Sequence, residues 1–139
     1  HADAAMATLC TRITRAEDYR SPHVVKVVSY AAGRALYFRR APIPAAGQSA
    51  AAPAIGEGGF PVSARHIGLY AYRIGALRAL AVSPPCYLEQ CENLEQLRAM
   101  WMGLEIRIAQ AIEPHGPDID TPEDLQRALE FMRSTGMSA

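Results

Sequence analysis

Two strand-like runs held apart by four turn residues decide most about the fold. In HVVKVVSYAAGRALYFRRAPIP, residues 23–44, segments rich in Val, Tyr and Phe flank Ala31-Ala32-Gly33-Arg34, which predicts an antiparallel hairpin. A third strand is expected in RHIGLYAYR, residues 65–73, where His66, Gly68, Tyr70 and Tyr72 alternate with Ile67, Leu69 and Ala71. Such a strand has one polar and aromatic face and one aliphatic face. Beyond it the apolar period lengthens from two to about 3.6. A short helix is expected over Gly75 to Ala81, before the Ser83-Pro84-Pro85 break. A longer helix from Tyr87 to Met102 has Leu94, Leu97, Trp101 and Leu104 as its buried stripe, with Glu92, Glu95 and Gln96 off it. LEIRIAQAIE, residues 104–113, alternates as a strand, and a last helix follows. Hairpin, strand, two helices, strand and helix predict an α/β layer arrangement.

The last helix is bounded by chemistry that can be named. In DIDTPEDLQRALEFM, Thr121 offers an N-cap oxygen, Pro122 suits the first helical position, and Asp124 stands three residues after the cap. Leu125, Ala128, Leu129 and Met132 then share one apolar face. Asp120 precedes the cap, so its carboxylate is not needed for capping. Local sequence reads it as a second partner of the helix dipole, worth about 0.3–1 kcal/mol, or as a carboxylate left over for a metal.

Composition excludes several classes. The 139 residues are half apolar, enough for one domain with a core, and fourteen basic residues balance fourteen acidic ones. No overall basic field gathers nucleic acid, and partners must be recognised locally. Apolar stretches are broken by Arg, Pro or Gly well short of a membrane span, and HADAAMATLC has no basic region followed by an apolar one; the expectation is a soluble, cytoplasmic chain. Cys10, Cys86 and Cys91 are odd in number and irregularly spaced, which supports buried thiols over a disulfide framework or zinc knuckle. Residues 41–61 read as a surface loop rich in Ala, Pro and Gly. Its Gly56-Glu57-Gly58-Gly59 is not bracketed by strand and helix, as a phosphate cradle requires.

The residues that can carry chemistry are Arg40 after the hairpin, His66 and Tyr70 on one strand face, Glu95 and Gln96 on the longer helix, and Asp120. Each has a structural alternative: a hydrogen-bonded core histidine for His66, a solvated helix face for Glu95 and Gln96. A Gly-rich nucleotide loop, a CxxC pair and HExxH are all missing, so these residues do not assemble a complete catalytic apparatus.

The stretches SPHVVKVV, GRALYFRRAPIP, RHIGLYAYR, LEQLRAMWMG and DTPEDL, in this order and at these separations, resemble the C-terminal half of the CMP-KDO synthetases, the 3-deoxy-manno-octulosonate cytidylyltransferases. The resemblance runs from about Met6 to the final helix, although DTPEDL alone also suits other sugar-nucleotide cytidylyltransferases. It implies that residues 1–139 are a single partial domain: the acceptor-sugar part of a nucleotide-diphospho-sugar transferase fold, Rossmann-like and glycosyltransferase-A-like, with a β-hairpin region that dimerises. It implies attack of the anomeric hydroxyl of KDO on the α-phosphorus of CTP, giving CMP-KDO and pyrophosphate. Arg40 would meet the acidic sugar as a guanidinium fork suits a carboxylate; His66 and Tyr70 would contact KDO, Glu95 and Gln96 its hydroxyls, and Asp120 would bind Mg²⁺.

Two departures stand beside the likeness. The family's N-terminal half, with its arginine- and glycine-containing CTP loop and a second metal-binding aspartate, has no counterpart in these residues. The segment after Pro44, Ala-Ala-Gly-Gln, also lacks the aromatic and acidic residues usual there. Rival readings are a cytidylyltransferase for a sialic-acid-like acceptor, from which RHIGLYAYR and LEQLR lean towards KDO, and a noncatalytic binding or dimerisation module.

Overall fold

The computed structural model describes residues 4–44, 63–113, 116, 119, 122–134 and 136. Asp120, the expected cap Thr121 and Gly56 to Gly59 lie outside them. In chain order the elements are β1 (Met6–Arg12), α1 (Ala16–Arg20), β2 (Lys26–Ser29), β3 (Ala35–Arg39), β4 (Ala64–Tyr72), α2 (Ile74–Val82), α3 (Tyr87–Glu92), α4 (Gln96–Trp101), β5 (Ile106–Gln110) and α5 (Pro122–Ser134). The strands form one mixed sheet in the order β3-β2-β4-β1-β5, with β1 and β5 parallel and every other neighbouring pair antiparallel. The fold is α/β, as the sequence pattern requires.

The sheet curls. Arg34 at the hairpin turn bridges to Arg107 on the far edge strand, and the amide of Ile108 donates to the Gly33 carbonyl at 2.8 Å. Gly33 suits this closure twice over: its φ is +78°, and a Cβ there would stand 3.1 Å from the Ile108 carbonyl oxygen. Arg107 adds a bond from Nη1 to the Ala32 carbonyl at 2.7 Å.

The core lies between the sheet and α4, where Met6, Val27, Phe38, Leu94, Leu97 and Ile106 pack together. Met6 and Ile106 are directly opposite each other in the parallel pair, so an interior strand and the edge strand feed one cluster.

Three expectations need correction. First, β1 and α1 carry no strong pattern: MATLCTR has no Val, Ile or aromatic residue, yet β1 is the strand that joins β4 to β5. Second, the expected helix from Tyr87 to Met102 is two. Asn93 adopts a left-handed conformation with φ 52° and ends α3, and α4 begins three residues later. This break resets the helical phase. Gln96, Leu97 and Ala99 now face the core, whereas Trp101, at about 100° per residue, falls outside that arc and is 69% exposed. Third, Gln96 is not on a solvated face: it is 2% exposed.

The end of the chain follows expectation. Strand β5 occupies the middle of the alternating segment 104–113, and α5 starts at Pro122, with Ala128 buried while Leu125 and Leu129 remain partly exposed. Among the described residues no helix is long and apolar enough to cross a membrane.

Candidate functional site

Strand β4 supplies the first two candidate residues. Opposite β1, Tyr72 faces Met6, Tyr70 faces Thr8 and Ile67 faces Leu9, so Gly68 and Leu69 form a bulge. Because the bulge adds two residues, parity is kept, and His66, Tyr70 and Tyr72 remain on one face. Their rings run in sequence, with Phe38 to His66 at 5.0 Å, His66 to Tyr70 at 5.3 Å and Tyr70 to Tyr72 at 5.6 Å between centroids. This polar and aromatic face, and not the aliphatic one, packs on the core; Leu69 and Ala71 of the opposite face are exposed.

Thr8, which sequence reading passed over, holds the bulge and the histidine together. Its buried hydroxyl lies 2.8 Å from the Leu69 carbonyl, 3.0 Å from the Ile67 carbonyl and 3.0 Å from His66 Nε2. A hydroxyl has one hydrogen to give. With that hydrogen spent on a carbonyl, the network assigns the hydrogen at Nε2 to His66, which donates to Thr8. His66 is therefore a hydrogen-bonded residue half-buried in the core, with its ring fixed.

The start of α4 brings the second pair to the same region. Glu95 and Gln96 line a cavity of about 220 Å³ together with Tyr72, Arg98 and the apolar side chains of Met6 and Leu80. Burial raises the Tyr70 phenol far above its ordinary pKa, and the Glu95 carboxylate raises it further, as it also does for Tyr72 behind the effect of burial. Both phenols thus remain protonated donors beside Glu95. Among the described residues Tyr70 Oη and Gln96 Nε2 are buried and have no hydrogen-bond partner, an unusual state for buried polar atoms that water, a ligand or further protein groups would relieve.

Arg98 borders the cavity as well. Its Nη1 donates to the Ser83 carbonyl at 2.7 Å, and its Nε stands 3.1 Å from Glu89 Oε2 without the alignment of a hydrogen bond. Glu89 also closes a capping box at the start of α3, with Cys86 as the cap.

Arg40 lies on the hairpin side, and its guanidinium is already engaged by the chain. Nε donates to the Glu92 carbonyl at 2.7 Å, Nη1 to the Pro22 carbonyl at 3.1 Å and Nη2 to the Asn93 carbonyl at 3.3 Å, while its amide donates to Glu92 Oε2 at 3.0 Å. Of five guanidinium N–H groups, three have acceptors among the described residues.

Lys26 is the other residue that the sequence pattern hid. A lysine inside VVKVV signals a strand whose polar member must find partners, and here it is fully buried with its ammonium bonded to three carbonyls. The structure thus brings His66, Tyr70, Glu95 and Gln96 together and sets Arg40 behind the turn that precedes Glu95. Asp120 lies outside the described residues. Among the described residues no group of three or more His, Cys, Asp or Glu is placed to hold a metal.

A curled mixed sheet carrying a polar and aromatic strand face, closed by a helix whose start presents a carboxylate and an amide to a cavity, defines an α/β domain with a candidate site for a polar ligand. The comparisons with known proteins narrow this class. The family model described as Cytidylyltransferase matches residues 1–106, and the chain belongs to that family. The 3-deoxy-manno-octulosonate cytidylyltransferase of Xanthomonas euvesicatoria pv. vesicatoria is 49% identical over 133 residues, covering 92% of this chain and 49% of the relative. That of Alkalilimnicola ehrlichii is 46% identical over 144 residues, covering 100% of this chain and 54% of the relative. A solved structure of CMP:2-keto-3-deoxy-manno-octonic acid synthetase complexed with CTP superposes with a TM-score of 0.78 at 36% identity, covering 95% of this chain and 50% of that one. The chain spans about half the length of the curated relatives it matches.

Proposed function

We propose that this chain forms the acceptor-sugar half of a CMP-KDO synthetase, in which the anomeric hydroxyl of KDO attacks the α-phosphorus of CTP to give CMP-KDO and pyrophosphate for lipopolysaccharide assembly. The observation that carries the reading is the pair of buried, unpartnered polar atoms, Tyr70 Oη and Gln96 Nε2, near the Glu95 carboxylate. A sugar acid offers hydroxyls that donate to Glu95 and oxygens that accept from Tyr70 and Gln96. His66, held by Thr8, adds a ring of fixed orientation. Arg40 contributes cationic charge to the acid group, through the guanidinium N–H groups not bonded to Glu92, Pro22 and Asn93.

The chain's own residues thus bind and orient the acceptor, and the CTP-binding groups belong to the other half of the family's fold. Mg²⁺ is part of this proposal through Asp120. The described residues assemble no ligand set for it, and the further ligands would come from the other half of the family's fold. A homodimer formed through the hairpin region agrees with the exposure of Tyr30 and Leu36 there, and an enzyme that consumes CTP is placed in the cytoplasm.

The test uses this chain completed by the N-terminal half of its Xanthomonas euvesicatoria relative. Pyrophosphate release from CTP is expected with KDO and not with a sialic acid, and the 139-residue chain alone should give none. In the completed enzyme Glu95→Ala should weaken use of KDO by about 1–3 kcal/mol and leave the CTP requirement unchanged. A raised CTP requirement with KDO use spared would overturn the assignment, and activity only with the sialic acid would transfer it to the rival acceptor.

A further inference from the structure

Lys26 is 0% exposed, and its three ammonium hydrogens go to the carbonyls of Ser21 at 2.6 Å, Val24 at 2.7 Å and Arg40. An ammonium has three donors and no acceptor, so this cage satisfies it completely. Burial lowers its pKa and the positive charge of Arg40 lowers it further, against opposing effects of Asp18 and Glu92. A cation buried at this cost, in a strand whose neighbours are valines, is informative about what it holds.

The Arg40 carbonyl belongs to a residue whose remaining polar groups run mainly to the turn between α3 and α4. Its amide and Nε bind Glu92, and Nη2 binds the carbonyl of Asn93, the left-handed residue on which the turn depends. Glu95 and Gln96 follow two and three positions later. On its other side Lys26 lies opposite Arg65 in the β2–β4 pairing, and the neighbouring Val25 carbonyl accepts from the His66 amide at 2.8 Å. Lys26 therefore stands at the junction of the segment that carries His66 and the clamp that fixes Glu95.

We propose that Lys26 is a positioning residue for acceptor recognition. By fixing the main chain at Arg40, it holds the Arg40 clamp on Glu92 and Asn93 and so sets the places of Glu95 and Gln96. It touches no substrate. The inference rests on the acceptor-site reading above and adds to it a residue that acts only through others. Preorganisation of this kind matters because misplacement of a binding group by about 1 Å costs on the order of a hundredfold in rate.

The experiment compares Lys26→Met with Ile13→Ala in the completed enzyme. Ile13 is equally buried but takes no part in the clamp, so its loss tests mere destabilisation. For Lys26→Met the KM for KDO should rise on the order of tenfold to a hundredfold, with the KM for CTP within about twofold. Ile13→Ala should lower the melting temperature without this split. Parallel changes in both KM values, no change in either, or the same split in Ile13→Ala would overturn the proposal. If Lys26→Met does not fold, Glu92→Ala decides: it leaves the lysine cage intact, removes the acceptor of the Arg40 amide, and should give the same split, whose absence overturns the proposal. A wild-type completed enzyme that makes no CMP-KDO defeats the functional reading itself, and that outcome is distinct from an active wild type whose variants show no split.

Discussion

Replacing Thr8 with valine keeps the branched shape of a 3% exposed side chain and removes one hydroxyl. That hydroxyl donates to one of the bulge carbonyls, the nearer being Leu69 at 2.8 Å, and accepts from His66 Nε2 at 3.0 Å. Two hydrogen bonds at about 0.5–1.5 kcal/mol each give a loss of roughly 1–3 kcal/mol. The bulge at Leu69 is open to water, so its carbonyl can be rehydrated, and a value near the middle, about 2 kcal/mol, is expected. For a domain of full family length this corresponds to a fall in melting temperature of about 4–8 °C. Thr8→Ser restores the hydroxyl and should recover most of the loss. Function should respond separately: with its Nε2 bond gone the His66 ring loses one of the contacts that orient it, so the KM for KDO should rise while that for CTP holds. The assay is thermal unfolding followed by steady-state kinetics on the completed enzyme. A Thr8→Val protein within about 0.5 kcal/mol of wild type, or one less stable but with unchanged KM for KDO, would refute the bonding role or the positioning role respectively.

Alkaline stability tests the buried phenol. The pKa of Tyr70 is raised, by burial first and then by Glu95 and Tyr72, so its stabilising contribution is whole below the unfolded value of about 10 and falls as pH rises above it, by at most about 1.4 kcal/mol per unit. Tyr70→Phe should flatten the decline in melting temperature above about pH 10 and cost little at neutrality, because Oη has no partner to lose; identical slopes would show that Tyr70 is not the group responsible. At Asp120, Asp120→Asn should leave the fold intact, collapse activity and raise the Mg²⁺ requirement, with Asp118→Asn as the silent control. The reverse pattern would assign the metal role to the wrong carboxylate, and an effect limited to about 1 kcal/mol of stability would return Asp120 to the helix dipole.

What could be read from the sequence depended on how local its cause was. The hairpin, β4, α2, β5 and α5 each carry their own period and punctuation, and they appear where the pattern put them. Strand β1 has no such signal because its partners, β4 and β5, are remote in sequence and supply what its side chains do not. The break at Asn93 had a weak local signal: Asn is, after Gly, the residue that tolerates the left-handed cap, and its amide and that of Leu94 bond back to the Glu89 carbonyl. Arg40, more than fifty residues earlier, adds a bond to the Asn93 carbonyl that no local pattern records. Gln96 was misplaced as a consequence. In the site, alternation along β4 grouped His66 with Tyr70 correctly, whereas Glu95 joined them through family resemblance alone, since pairing between a helix and a strand cannot be read from either period. Thr8 and Lys26 were missed because each is a single polar residue whose partners are main-chain carbonyls, which no side-chain motif records.

The choice of carbonyls as partners also bears on recognition of an acidic sugar. Arg98 stands beside the Glu89 carboxylate, and most of its field is cancelled there. The ammonium of Lys26 and the guanidinium of Arg40 are bonded instead to carbonyl oxygens, dipoles that solvate a cation without neutralising it, and the carboxylates of Asp18 and Glu92 offset the Lys26 charge only in part. In a region of low dielectric two such charges act over longer distances than they would in water. On the proposed reading Glu95 needs this compensation, because its carboxylate would accept from the sugar's hydroxyls but repel the acid group of the same sugar. The neutral phenols of Tyr70 and Tyr72 reduce that repulsion only as dipoles. On that reading, positive charge held by the chain's own carbonyls behind the turn that precedes Glu95 would let one site keep a carboxylate for the sugar's hydroxyls and still accept an anion.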